Sequence, residues 1–457
     1  MEKKKRSSFS SRIGFVLAAA GSAVGLGNIW RFPYLAAKYG GGIFLLVYLI
    51  LAVTFGFALM ITEIAIGRKT GLSCIGAYKS LDKRFGALGW LAALVPVIIT
   101  PYYCVIGGWV MKYFFEYISG NGLALAGDSY FGNFIGFADG GLLSTPLFWF
   151  LVYVLVTAVV VLLGVEKGIE KVSKVMMPVL VLLSIVVAVF SMTMPGAVEG
   201  LKFYFIPDFS HFSIKTVLAA MGQMFYSMSL AMGIMITYGS YMPKESNLER
   251  SVGQIEIFDT AIAFIAGLMI VPAVVAFNGG SAEGINAGPG LMFGTLPKVF
   301  EKMWAGHIVG TVFFLLVLFA ALTSSISLME TVVSIVGDKL HMGRKPATVA
   351  VTVGVCLLGI PSCLGYGPLA GVELLGMQFL DFFDFISNSV LMPIVAFFTC
   401  ILIGWFVGTK TVSDEVERNF PFHRKRLFEV MVRWIAPILI VCILAGQILD
   451  VTGVMKI

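Results

Sequence analysis

The feature that most limits the folds open to this chain is its succession of long apolar runs. Windows of about 20 residues, enough to cross roughly 30 Å of hydrocarbon as a helix, fall near 13–37, 42–66, 88–117, 146–164, 174–193, 216–240, 258–277, 305–335, 347–361, 380–407 and 431–450. With 457 residues, 58% of them hydrophobic and 13% charged, the composition excludes a soluble globular domain. An all-α integral membrane protein with eleven transmembrane helices is expected. Lys3, Lys4, Lys5 and Arg6 before a short apolar run imitate a cleavable signal peptide. Cleavage after Ala18-Ala19-Ala20 would remove one span of many and cut just before the most unusual stretch of the sequence, so that reading is set aside. Cys74, Cys104, Cys356, Cys363, Cys400 and Cys442 are scattered singly, without metal-ligand or pairing pattern, and read as packing residues.

The net charge of +6 is spread over alternate loops rather than gathered in a patch for an acidic partner or nucleic acid. Basic residues fill the N-terminus, the loop with Arg68, Lys69, Lys79, Lys83 and Arg84, and those with Lys167, Lys171 and Lys174, with Lys244 and Arg250, with Arg344 and Lys345, and with Arg424, Lys425 and Arg426. The intervening loops, such as 119–145 with Asp128 and Asp139, are poor in them. With eleven spans this is the positive-inside pattern, with the N-terminus cytoplasmic and the C-terminus outside; an inner (plasma) membrane of bacterial type is the expected location.

Two spans should break. Gly21-Ser22-Ala23-Val24-Gly25-Leu26-Gly27-Asn28 leads to Arg31 and Pro33, and its glycines each cost a helix about 1 kcal/mol against alanine. Ser227-Met228-Ser229-Leu230-Ala231-Met232-Gly233 interrupts the sixth run in the same way, after Gln223 and Tyr226. Unwound backbone at membrane depth must be buried in protein or line a polar cavity. The first and sixth runs would open two five-span halves, 12–193 and 216–407, and an odd span number puts the halves in opposite orientation, as in inverted-repeat secondary transporters. Around them the sequence divides into a cytoplasmic segment 1–11, an extracellular connection 194–215, a cytoplasmic loop 408–430, and an eleventh helix with the C-terminus, 431–457.

Free amides near Gly25, Leu26 and Gly27 suit a carboxylate, and carbonyls near Gly21, Ala23 and Val24 suit a hard cation. Gly21 and Gly25 also fit a small-residue helix-packing motif. Thr323, Ser324 and Ser325 after Ala320 offer oxygens to Na+, or bond back to the preceding turn. Asp259 needs a cation, a partner or a proton if it lies inside the membrane, and none at an interface. Tyr102 and Tyr103 suit a substrate carboxylate or a lipid interface. Arg31 and Asp384 form a candidate outer pair, and Arg6, Tyr241 and Asp338 lie near span ends on the inner side.

These segments, Gly25 to Asn28 with Arg31-Phe32-Pro33, Gln223 to Ser229, and Leu322 to Ser325, closely resemble the neurotransmitter:sodium symporters, in particular their bacterial amino-acid branch. That family is itself a type example of the inverted-repeat layout. The resemblance implies a first sodium site from the carbonyl of Ala23, Asn28, Ser227, Asp259 and the substrate carboxylate. It implies a second from the carbonyls of Gly21, Val24 and Ala320 with Thr323 and Ser324. The substrate carboxylate would meet Gly25, Leu26, Gly27 and Tyr103, its ammonium Ala23, Tyr226, Ser227 and Ser229, and its side chain Ile99, Tyr226, Ser229, Met232 and Leu328. Arg31 with Asp384 resembles the family's outer gate, and Arg6 with Asp338 and Tyr241 its inner one.

Departures from the family pattern sharpen the expectation. Asp259 stands where many members carry asparagine, and Ala263 replaces a chloride-site serine, so chloride independence is expected. Met232 replaces a common aromatic and implies a pocket for large apolar or aromatic amino acids. Phe9 replaces a tryptophan near the inner gate, a twelfth span is absent, and Gly168 with Pro178 matches a spacing at which some members unwind. The implied activity is two-sodium, amino-acid symport by alternating access. Alternatives are transport of another small amine, a gated channel, or a receptor that binds without moving its ligand. An enzyme is not expected, because no span carries a hydrolytic constellation and His211, His307, His341 and His423 lie in or near loops.

Overall fold

The computed structural model describes residues 7–138, 140–279 and 288–451, so Arg6 and Asp139 lie outside the described residues. Helices α1 (Arg12–Ala23) and α2 (Gly27–Lys38) form one pair bent by 52°, and α3 (Gly42–Thr70), α4 (Lys83–Ile118), α5 (Pro146–Leu163) and α6 (Val165–Met192) follow. Two shorter helices, α7 (Ile214–Ser227) and α8 (Ile234–Tyr241), come next. The chain continues with α9 (Leu248–Phe277), α10 (Gly306–Leu340), α11 (Arg344–Leu364), α12 (Phe379–Phe406) and α13 (Lys425–Gln447). Among the described residues nine helices are long and apolar enough to cross a membrane, or ten with the bent pair as one span. The protein is a multi-pass, all-helical membrane protein.

Local chemistry explains both interruptions. Ser11 caps α1 by accepting from the Gly14 amide at 3.1 Å. The helix stops where Val24 turns extended, at φ −76° and ψ 95°, and its own N–H makes the last bond, to the Ala20 carbonyl. Helical backbone resumes at Gly27 with a wide turn to Arg31, which Pro33 enters without losing a needed donor. Between α7 and α8 the backbone takes left-handed φ at Ser229 (53°), Ala231 (60°) and Gly233 (72°). For the two residues with a Cβ this costs about 1–2 kcal/mol each, so tertiary contacts must hold the segment open.

Several boundaries differ from the hydropathy windows, for identifiable reasons. Ser213 caps α7 by accepting from Thr216 N at 3.2 Å, which starts the helix at Ile214 rather than 216. α13 begins at Lys425, six residues before its apolar window, because Lys425 to Val430 continue through a wide turn at Met431–Ile435. Arg68 is no loop cation: it ends a longer α3, is 2% exposed, and reaches Glu415 at 2.8 Å and the Ser246 carbonyl at 2.8 Å. The 194–215 stretch holds a helix at Ala197–Phe205. A wide turn at Val165–Glu170 opens α6, where a Cβ on Gly168 would lie 2.2 Å from the Val160 carbonyl oxygen.

α1 packs against both α9 and α10, α8 runs along α3, and α10 along α4. The broken elements are therefore wrapped by intact ones, and their loosened backbone meets protein rather than lipid.

Candidate functional site

Both breaks converge on Asp259. It sits eleven residues into α9, about 16 Å along the helix, and is fully buried. Its Oδ1 accepts from Asn28 Nδ2 at 2.7 Å and from Ser227 Oγ at 2.8 Å. Tyr48 Oη donates to Oδ2 at 3.3 Å, and the Asn28 Oδ1 accepts from the Gly25 amide at 3.2 Å. An interfacial aspartate, the alternative left open by the sequence, is therefore not what the fold builds. Asn28 comes from the first break and Ser227 from the end of α7, so one carboxylate ties together three elements. A buried carboxyl with three donors and, among the described residues, no cationic side chain on it is the kind of oxygen-rich centre a hard cation completes.

A second oxygen cluster lies on the other side of the first break. The Ser324 hydroxyl is 3.4, 3.1 and 3.4 Å from the carbonyl oxygens of Gly21, Ser22 and Val24. Thr323 Oγ1 bonds back to the carbonyls of Phe319 and Ala320, both at 3.1 Å, the local partner that membrane hydroxyls often take. Close approach depends on Gly21, where a Cβ would meet Thr323 Cβ at 3.1 Å and Met177 Sδ at 3.2 Å. Gly21, Val24, Ala320, Thr323 and Ser324 thus meet at one seam between α1 and α10.

Between the two clusters is a cavity. Its polar wall holds Ala23, Gly25, Leu26, Gly27 and Asn28 from the first break and Tyr226, Ser227 and Ser229 from the second. Ile99 and Tyr103 of α4, Met232, Ile234, and Leu328 of α10 supply the rest, together with Ser22 and Ser324. The Leu26 amide donates to Tyr103 Oη at 3.3 Å. A Cβ on Gly25 would lie 2.6 Å from Ser324 Oγ and 2.9 Å from Tyr103 Oη, and one on Gly27 would lie 2.5 Å from the Tyr226 ring. Backbone amides, hydroxyls and an apolar end share this space, which suits a small zwitterion with an apolar side chain.

Tyr226 also lines a vestibule of about 380 Å³, together with Arg31, Tyr102, Asp381 and Asp384. The Arg31 guanidinium sits 5.8 Å from the Tyr226 ring centre. Asp384 accepts from Tyr102 Oη at 3.0 Å and Asn388 Nδ2 at 2.5 Å, and among the described residues Arg31 forms no ion pair with it. The opposite end is packed shut. Phe9 is 2% exposed, with ring centres of Phe15 and Tyr238 both at 5.6 Å, and its N–H donates to the Tyr241 carbonyl at 3.0 Å. Tyr241 Oη donates to Glu330 at 2.9 Å, Glu330 pairs with Arg344, and Asp338 accepts from the Ser73 amide at 2.9 Å. The Arg6 arm of the expected inner gate lies outside the described residues.

Four participants were not singled out from the sequence: Tyr48 on Asp259, Ser22 between Ser229 (3.1 Å) and Ser327 (2.7 Å), Glu330, and Glu63. Glu63 Oε1 accepts from the Ala231 amide at 2.6 Å and so holds the left-handed segment of the second break. Glu63 and Glu330 carried a usable signal, being lone carboxylates in apolar runs.

Known proteins bear on this arrangement. The profile of the sodium:neurotransmitter symporter family matches residues 6–127 and 128–455. An uncharacterized sodium-dependent transporter, YhdH of Bacillus subtilis, is 37% identical over 459 residues, covering 98% of this chain and 99% of that one. The human sodium- and chloride-dependent GABA transporter 2 is 27% identical, over 91% of this chain and 77% of its own. The crystal structure of MhsT in complex with L-phenylalanine superposes with a TM-score of 0.87 at 39% identity, covering 97% of this chain and all (100%) of that one. The chain belongs to the sodium:neurotransmitter symporter family, whose members are transporters rather than enzymes.

Proposed function

We propose that this protein imports an apolar or aromatic L-amino acid with two sodium ions, by alternating access and without chloride. The observation that carries the reading is the joining of Asn28, Ser227 and Asp259 within 2.8 Å across both interrupted spans. In this reading the Asp259 centre, with the Ala23 carbonyl and the substrate carboxylate, holds the first ion. The Gly21, Val24, Ala320, Thr323 and Ser324 oxygens hold the second. The similarity to a phenylalanine complex supports an amino-acid substrate, and Met232 with Ile99 and Leu328 supports a large apolar side chain. Asp259 with Ala263 supports chloride independence, since a fixed carboxylate supplies the anion there.

The α1–α2 and α7–α8 pairs are each read as one interrupted span. Eleven spans then divide as 12–193 and 216–407 in inverted halves, with one helix over, between a cytoplasmic 1–11 and an external C-terminus in a bacterial plasma membrane. Arg31 and Asp384 close the outer end, and Arg6, Tyr241 and Asp338 the inner. Two sodium ions crossing 100 mV supply about 4.6 kcal/mol, enough for more than three decades of accumulation. Because the substrate carboxylate completes the first ion's shell, each tightens the other. Thermal stabilisation of purified protein across the twenty amino acids, with sodium or potassium, tests this: large apolar side chains should stabilise in sodium only. Equal stabilisation in potassium, or uptake into liposomes that chloride stimulates, would refute it.

A further inference from the structure

The geometry points to a binding site for the headgroup of an anionic phospholipid where α9 begins and the 408–430 segment meets it, independent of the substrate reading. A cavity of about 430 Å³ opens there, lined by Asn247, Glu249, Arg250, Gly253, Gln254, Ile257, His423 and Arg424. Arg250 is exposed, and its guanidinium has no hydrogen-bond or ion-pair partner among the described residues. The two carboxylates nearby are already satisfied. Glu249 accepts from the amides of His423 and Arg424, both at 2.9 Å, and from His423 Nδ1 at 3.2 Å. Glu256 pairs with Arg424 at 3.2 Å. Arg12, outside the lining, bonds at 2.7 Å to the side chain of Gln254, which lines it. The α9 amides, capped by Asn247, present their positive end to the same space.

Below this cationic mouth the wall turns apolar. Ile257 is 67% exposed and lies seven residues deeper on α9, about 10 Å from Arg250. Gly253 between them lets the Arg424 guanidinium lie against the helix, since a Cβ there would meet Nη2 at 3.2 Å. A soluble anion would use only the mouth, whereas a phospholipid uses both levels: its phosphate sits at Arg250, beside the Arg424 guanidinium that Glu256 already holds, and an acyl chain runs over Ile257. With the start of α9 on the cytoplasmic side, an orientation taken from the topology proposed above, these basic groups face the leaflet where such a headgroup is met.

Native mass spectrometry of the full-length protein, released from nanodiscs of phosphatidylcholine with phosphatidylglycerol, tests the site. Wild type should retain phosphatidylglycerol selectively. Arg250→Glu should cut the retained fraction about ten-fold, and Ile257→Asn, which keeps every charge and makes the acyl-facing wall polar, should cut it comparably. Lys345→Glu, an exposed charge outside the site, should leave it unchanged. An equal loss with Lys345→Glu means diffuse attraction and overturns the site. So does full retention in both site variants, or displacement of the lipid by inorganic phosphate, which would mark a soluble-anion site.

Discussion

Replacing Asp259 by asparagine separates the charge of the central carboxylate from its hydrogen bonds. The amide oxygen can keep the two contacts from Asn28 at 2.7 Å and Ser227 at 2.8 Å. The new NH2 takes the place of Oδ2, and Tyr48 Oη, now a donor at 3.3 Å, can turn and accept. Shape and satisfaction survive, and the negative charge is lost. Two charge-assisted bonds become neutral ones, which destabilises the ion-free protein by roughly 1 kcal/mol each, and the bound ion loses its attraction to the carboxylate, up to about 4 kcal/mol at an effective dielectric of about 20. Sodium affinity should fall by about 2–4 kcal/mol, or roughly 30- to 1,000-fold. Chloride should then recover part of the loss, because the site again lacks an anion. Sodium titrations of thermal stabilisation, with whichever amino acid stabilises the wild type most, in chloride and in gluconate, measure both effects. An Asp259→Asn protein with unchanged sodium affinity would falsify the assignment of this carboxylate to the ion.

Gly25→Ala places a methyl 2.6 Å from Ser324 Oγ and 2.9 Å from Tyr103 Oη, at the lining of the cavity. The variant should fold, by its circular dichroism spectrum, and lose amino-acid-induced stabilisation; retained stabilisation would mean that the substrate binds elsewhere. Met232→Phe replaces an adaptable chain by a stiff ring in the apolar wall. Uptake in liposomes should fall about ten-fold for tryptophan and within about three-fold for leucine, and equal losses would argue against a contact with the side chain. Arg68→Ala strips Glu415 and the Ser246 carbonyl of a donor that is 2% exposed. Loss of a buried partner should cost about 3–5 kcal/mol, read as a lower melting temperature with substrate affinity unchanged; a small shift would show that water replaces the guanidinium.

What the sequence made legible was the chemistry that is local. Three closely spaced glycines before Asn28 and Pro33 announce a helix that cannot stay wound, and the chain does leave its helix at Val24. The second break was visible as a place but not as a shape. Its left-handed residues include Ser229 and Ala231, whose side chains disfavour that backbone, and only one of the three is glycine. The compensation is Glu63, 168 positions away, accepting from the Ala231 amide. A carboxylate in one apolar run and an alanine in another carry no shared pattern, so the pairing appears only once α3 and α8 are packed together. Tyr48 escaped for the same reason, since a tyrosine in an apolar run is ordinary until its hydroxyl meets Asp259. Wide helical turns such as Ala52–Gly56 and Met431–Ile435 leave no sequence signal at all, because their residue types match those of the regular turns beside them. The break needs both halves of this account: glycine lowers the cost of unwinding where the chain must expose its poles, and distant carboxylates fix the direction in which those poles point. A substitution at Glu63 should therefore disturb the cavity through Ser229 and Met232 without touching it, which is the consequence of building a site from backbone that has no helix to hold it.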